Sequence, residues 1–216
     1  MTDIFKEVDE ELRQEHYKKL WDKYGRYVIA AAVALVLAVG GYQAWQAWQE
    51  RQRESASNQY GAALSLLEEG RSEEAETALA ALGGPGDGGY AILASLQSAR
   101  LKAEAGDLEG AVAIWDALAA NQSAGAAFRG AATLLSVTHQ IDSGDPAELE
   151  ARLQPLTEVG QAFRPPALEL SALIALRNGD QEKAQERYAA IVDDIAAPTS
   201  LRTRASQMLT VLGGGS

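Results

Sequence analysis

Hydrophobic and polar positions change rhythm twice along the chain. In the first stretch Ile4, Phe5, Val8, Leu12, Tyr17, Leu20, Trp21 and Tyr24 fall on one helical face, with Glu7, Asp9, Glu10, Glu11, Lys18, Asp22 and Lys23 on the other. This predicts an amphipathic helix over residues 1–26, capped by Thr2-Asp3 and ended by Gly25. The second stretch, YVIAAAVALVLAVGGYQAWQAWQ from Tyr27 to Gln49, has no charged residue between Arg26 and Glu50. As a helix it is roughly 35 Å long, enough to cross a hydrocarbon core of about 30 Å. Tyr24 and Tyr27 at one end and Tyr42, Trp45 and Trp48 at the other are rings of the kind that settle at the headgroup level. Residues 27–49 are therefore read as a transmembrane helix and 50–54 as a juxtamembrane connection.

Two other readings of the span compete. Ala38-Val39-Gly40 could serve as a signal-peptide cleavage site, but the 26 residues before the span carry seven acids, where a signal peptide is short and basic. A buried core helix of a soluble protein would need neither this length nor the aromatic boundaries. Within the span Ala30, Ala34 and Ala38 share one face, a candidate small-residue contact with another membrane helix. Orientation follows Lys and Arg near the span. Arg13, Lys18, Lys19, Lys23 and Arg26 precede it and only Arg51 and Arg53 follow closely, which keeps the N-terminus cytoplasmic and sends the C-terminal domain to the periplasm of a bacterium, through the inner membrane.

The third rhythm is a repeat. Gly70, Gly106, Gly144 and Gly179 recur at intervals of 36, 38 and 35 residues, each between two helical patterns. Glycine suits the left-handed end of a helix, and Ser72, Asp107, Asp145 and Asp180 suit the cap of the next. Five residues past each glycine stand Ala75, Ala111, Leu149 and Ala184; nine past, Leu79, Trp115, Leu153 and Tyr188; twelve past, Leu82, Leu118, Leu156 and Ile191. Seven before, Ala63, Ala99, Val137 and Ala172 supply a small partner on the first helix. Each unit is a helical hairpin that cannot bury its apolar face alone, so the prediction is an all-α stack of four over residues 55–212. Leu149, large where its equivalents are Ala, should splay the third hairpin. Thr199 to Leu212 reads as a capping helix with Leu201, Ala205, Met208, Leu209 and Leu212 inward and Arg202, Arg204 and Gln207 outward. Residues 213–216 read as a flexible tail.

Composition narrows the chemistry. Between Glu50 and Ser216 there are 13 Lys and Arg against 23 Asp and Glu, a balance of −10, which repels phosphate backbones and argues against a nucleic-acid partner. There is no cysteine, and the two histidines are His16 and His139, so neither a metal cluster nor a thiol nucleophile is expected. GGPGDGG from Gly83 to Gly89 lacks the Lys and strand of a phosphate loop and reads as a flexible linker. No catalytic residue and no cofactor is expected. What remains is binding.

The glycine, the small residue at five and the aromatic or Leu at nine, at a period of 35 to 38, resemble the tetratricopeptide repeat. That resemblance implies a concave face formed by the first helices, lined at the equivalent positions by Tyr60, Leu64, Leu96, Arg100, Leu134, Thr138, Glu169 and Leu173, where extended or helical peptides lie. Arg100 and Glu169 are the charged members and must find a partner or water. Together with DIFKEVDEELR, KKLWDKYGRYV and a single span ending in Trp, the domain resembles the YfgM-like family of ancillary Sec translocon subunits. The resemblance implies an inner-membrane scaffold, held to lipid by one span, that meets translocon subunits, exported polypeptides and a periplasmic chaperone. The alternative is a regulator of envelope assembly, cell division or stress response that uses the leader as its cytoplasmic contact.

Overall fold

The computed structural model describes residues 3–83 and 88–213. Among them the chain is all helix, with α1 Asp3–Glu68, α2 Ser72–Leu82, α3 Gly89–Glu104, α4 Leu108–Ala120, α5 Ala126–Gln140, α6 Pro146–Thr157, α7 Arg164–Arg177, α8 Gln181–Val192 and α9 Thr199–Val211. The expected cap at Thr2, Pro85 and the middle of the GGPGDGG segment, the last three residues of the tail and most leader side chains lie outside the described ones. Backbone contacts divide the chain into Met1–Glu54 and Ser55–Ser216.

In the first unit α1 runs unbroken through Gly25, Gly40 and Gly41, so Gly25 is not the break expected of it. An interior glycine costs about 1 kcal/mol against alanine, too little to end a helix continued by good formers on both sides. Residues 50–54 are helical as well. One helix among the described residues, from Lys23 onward, is long and apolar enough to cross a membrane, and none of its apolar window is buried. Val36 and Leu37 are each 70% exposed. Polar contacts collect at the ends of the apolar stretch: the Arg26 guanidinium lies 4.8 Å from the Tyr27 ring centre, Gln46 Nε2 donates to the Tyr42 hydroxyl at 2.9 Å, and the Trp45 and Trp48 rings are 5.5 Å apart.

The second unit is built from hairpins whose small-large pattern packs as its spacing predicts. Ala63, Ala99, Val137 and Ala172 on first helices and Ala75, Ala111, Leu149 and Ala184 on second helices are all buried, as are Leu79, Trp115, Leu153 and Tyr188. Leu118 and Ile191 are buried too, while Leu82 and Leu156 are half-buried. The apolar residues form a row of local cores, each shared by neighbouring helices, as a stack of repeats requires.

Three turns use the predicted device. Gly70, Gly106 and Gly179 have φ of 77°, 87° and 78°. After Gly106, for example, Asp107 N–H donates to Lys102 O at 2.8 Å and Gly106 N–H to Ala103 O at 3.0 Å, the paired bonds of a left-handed helix end. Asp107, Asp145 and Asp180 then cap α4, α6 and α8 by accepting from the N–H of Gly110, Glu148 and Lys183. The fourth turn differs. Gly144 does not have positive φ among the described residues; it is needed for closeness, since a Cβ there would stand 3.0 Å from Gln140 O and 3.1 Å from Leu149 Cδ1. Arg177 satisfies this turn from outside by donating to the carbonyls of Ile141 and Gly144.

Leu149 thus fills the space an alanine would leave, and α5 and α6 share less contact than α3 and α4 or α7 and α8. A polar knot compensates. Ser136, fully buried, donates to Asp116 Oδ1 at 2.5 Å and accepts from Arg152 at 2.9 Å and from Gln140 at 2.8 Å, while Arg152 also pairs with Asp116. It joins α4, α5 and α6. Two expectations are corrected here. Ser72 is the first residue of α2, not its cap, because Arg71 takes the cap position and turns its guanidinium to Glu74 at 2.6 and 2.7 Å. Arg202 is half-buried rather than outward, with its Nε buried and unpartnered.

Candidate functional site

The expected binding face does not behave as one surface. Tyr60 is half-buried and its ring meets Tyr90 at 5.9 Å, and Leu64 is half-buried beside it in sequence. Leu134 packs into the core between α5, α6 and α7, and the exposed Thr138 hydroxyl donates back to Leu134 O at 2.7 Å. Glu169 has found its partner in the capping helix, where Arg204 engages both carboxylate oxygens, at 2.5 and 2.8 Å. That carboxylate raises the Arg204 pKa further above its ordinary value, and burial raises that of the nearby Tyr188 hydroxyl. Leu173 stands on α7, 38% exposed.

Leu96 and Arg100 do come together, on one wall of a groove of about 520 Å³ between α3 and α5. Gln97, Ala103 and Glu104 extend that wall, Ala131, Leu135 and His139 form the facing one, and Trp115 of α4 lines the space between them. Helices α5 and α7 share more backbone contact than α3 and α5, and the second-helix side chain lining the groove is an indole, where the next hairpin has Leu153. Trp115 packs in one cluster with Ile92 and Ala99 of α3 and Ala132 of α5, so it spaces the first helices while Ala103 and Ala131 leave the opening unfilled.

Charge inside the groove is closed on itself. Arg100 pairs with Glu104 one turn away and donates to Gln97 Oε1 at 3.3 Å. The exposed His139 ring stacks on the Trp115 indole, 4.7 Å between centres and 17° from parallel. Just outside, Lys102 bridges Glu76 of α2 and Asp107, both at 3.0 Å, which raises its pKa. The Gly110 N–H, with Lys102 second, holds the Asp107 carboxyl below the usual range.

Trp115 was expected in the core and is there, 2% exposed, but its second role as part of a groove, and the parts of Ala131, Leu135 and His139, escape a count of one stripe per helix. A groove between parallel helices takes its walls from opposite edges of two of them. Leu96 and Arg100 line the groove from α3, whereas of their equivalents Leu134 packs against the core shared with α6 and α7 and Thr138 is exposed. The spacing i, i+4, i+8 of Ala131, Leu135 and His139 was the available signal. A larger recess of about 960 Å³ between the α6–α7 and α8–α9 loops is bounded by Val159, Ile195, Pro165, Pro166 and the Arg164–Asp194 pair at 2.7 Å. Among the described residues no group of three His, Asp or Glu side chains is placed to hold a metal ion.

The family model for the tetratricopeptide repeat-like domain matches residues 18–210. The chain belongs to this family. The match takes in the apolar helix as well as the hairpins, and tetratricopeptide repeat-like domains are protein-interaction modules, in keeping with an open groove that offers apolar walls. Comparison with curated proteins and with solved structures returns no match.

Proposed function

We propose that this protein is a membrane-anchored interaction scaffold whose tetratricopeptide repeat-like domain holds polypeptide segments at the membrane surface. The observation that carries the reading is the groove between α3 and α5, an apolar opening at the binding face of a repeat domain in a chain that also has one unburied apolar helix. The Lys and Arg excess before that helix sets the N-terminus in the cytoplasm and the repeats in the periplasm of a bacterial inner membrane. The resemblance to YfgM-like proteins carries the reading to its specific form, an ancillary subunit of the Sec translocon that hands exported proteins to a periplasmic chaperone. Ala30, Ala34 and Ala38, all exposed, are the residues proposed to meet another membrane helix.

The test is to solubilise membranes gently, isolate the full chain by a C-terminal tag and identify what accompanies it, then repeat with the apolar helix replaced by an unrelated span. Co-isolation of translocon subunits and a periplasmic chaperone, with the translocon subunits lost on replacement, is the expected result. Recovery of envelope-assembly or division proteins with no translocon component would overturn the Sec assignment in favour of the regulator.

A further inference from the structure

We infer that the α3–α5 groove is an anchor subsite selecting one large aliphatic side chain flanked by Lys or Arg in an extended, unfolded polypeptide segment; this rests on the scaffold reading above. Shape sets the first half of the selection. Leu96, Ala103, Ala131 and Leu135 make the walls apolar, and Leu135 is 38% exposed although it stands mid-helix in a domain where most large apolar side chains are covered. Covering such a wall with an aliphatic side chain releases water from both, the same gain that buries a leucine in a core. The volume, about 520 Å³, admits a side chain together with the backbone that carries it.

Charge sets the second half. Inside the groove Arg100 and Glu104 pair with each other, so those two charges sum to zero, and the exposed His139 ring is stacked on Trp115. The domain as a whole carries the excess of ten acids counted above, so an approaching segment meets a net negative field that disfavours acidic flanks and draws basic ones. The groove is an apolar window in a net-acidic domain. An aliphatic residue among lysines or arginines complements both features, whereas an aliphatic residue among acids complements only one.

The test uses the full chain in detergent micelles and three short fluorescent peptides read by anisotropy: a central Leu between lysines, the same Leu between glutamates, and Ser in place of Leu between lysines. The first should bind about tenfold or more tightly than the Ser peptide, the gain expected for burying one leucine, and more tightly than the glutamate-flanked peptide at low salt, a preference set by the domain's net negative charge. Its affinity should fall when salt is raised to about 300 mM. Filling the groove with Ala131→Leu, or stripping its exposed wall with Leu135→Ser, should each weaken the Leu-Lys peptide about tenfold with the helical circular dichroism unchanged; Leu135→Ser is the safer fold because its side chain is already partly in water. Equal binding of the Ser-Lys or Leu-Glu peptide would overturn the selection. Binding unaffected by either variant but lost in Leu173→Ser would move the site to α7, ending this inference and leaving the scaffold reading intact. Failure of all three peptides to bind would overturn this inference, while the scaffold reading stands or falls by the co-isolation above.

Discussion

Leu37 in the first unit and Leu153 in the second are the same residue on the same kind of element, yet one is 70% exposed and the other fully buried. The contrast extends to their neighbours. Around Leu37 every described residue from Ala32 to Gln49 is exposed, while around Leu153 apolar positions alternate with polar ones at a helical period, and Leu149, Leu153 and Leu156 pack into a core shared with α5 and α7. A repeat helix solves its hydrophobic problem with a neighbour of the same chain. Among the described residues the apolar stretch of α1 has no such neighbour, and its length and composition are those of a membrane-spanning helix.

Charging the stretch breaks this contrast with the largest effect. Leu35→Arg together with Leu37→Asp should cost about 2.5–3.5 kcal/mol per residue of insertion energy, enough to release the protein from membranes at alkaline carbonate extraction while the repeat domain keeps its melting transition. Trp115→Ala should do the reverse, lowering repeat-domain stability by about 3–5 kcal/mol in urea unfolding and leaving membrane association intact. Arg152→Ala should cost about 1–3 kcal/mol, because the buried Ser136 and its partner Asp116 lose a charged donor where α5 and α6 share less contact than α3 and α4 or α7 and α8.

The two kinds of turn offer a finer comparison. Gly106→Ala should destabilise by about 1–2 kcal/mol through its left-handed backbone, whatever surrounds it. Gly144→Ala should cost less than that when Leu149 is also shortened to Ala, since its obstacle is partly the Leu149 side chain. The smallest effect is with pH. The carboxyls of Asp107 and Asp194 lie below their ordinary value of 3.8, held chiefly by the N–H groups of Gly110 and Ala196 and then by Lys102 and Arg164. A depressed folded pKa gives stability that is present above pH 3.8 and lost as pH falls through the lower folded value. Acid unfolding should therefore steepen below pH 4, and Asp194→Asn should flatten part of that slope.

Much of this architecture was legible in the sequence. Gly70, Gly106 and Gly179 end their helices as their spacing predicts, and the residues five and nine places beyond all four glycines are buried, because each helix pair repeats one packing problem. The misses have local causes. Gly144 follows a turn held by Arg177, thirty-three residues away in sequence, and no local pattern announces such a bond. Ser72 lost the cap to an arginine whose two acids, Glu69 and Glu74, lie beside it. The candidate groove was half legible: Leu96 and Arg100 follow from repeat register, whereas the parts of Leu135, His139 and the buried Trp115 depend on how α3, α4 and α5 pack, a tertiary quantity. Glu169 was marked as needing a partner, and Arg204 on the capping helix is that partner.

The most direct test of the binding account is photo-crosslinking in intact cells, with a photoreactive amino acid at Leu135 in the groove wall and, in a separate strain, at Ile195, a loop-tip residue 93% exposed. The account predicts crosslinks to a spread of polypeptides from Leu135 that disappear when Ala131→Leu fills the groove, and few from Ile195 despite its greater exposure. Stronger crosslinking from Ile195, or crosslinks from Leu135 that persist in the filled groove, would contradict it.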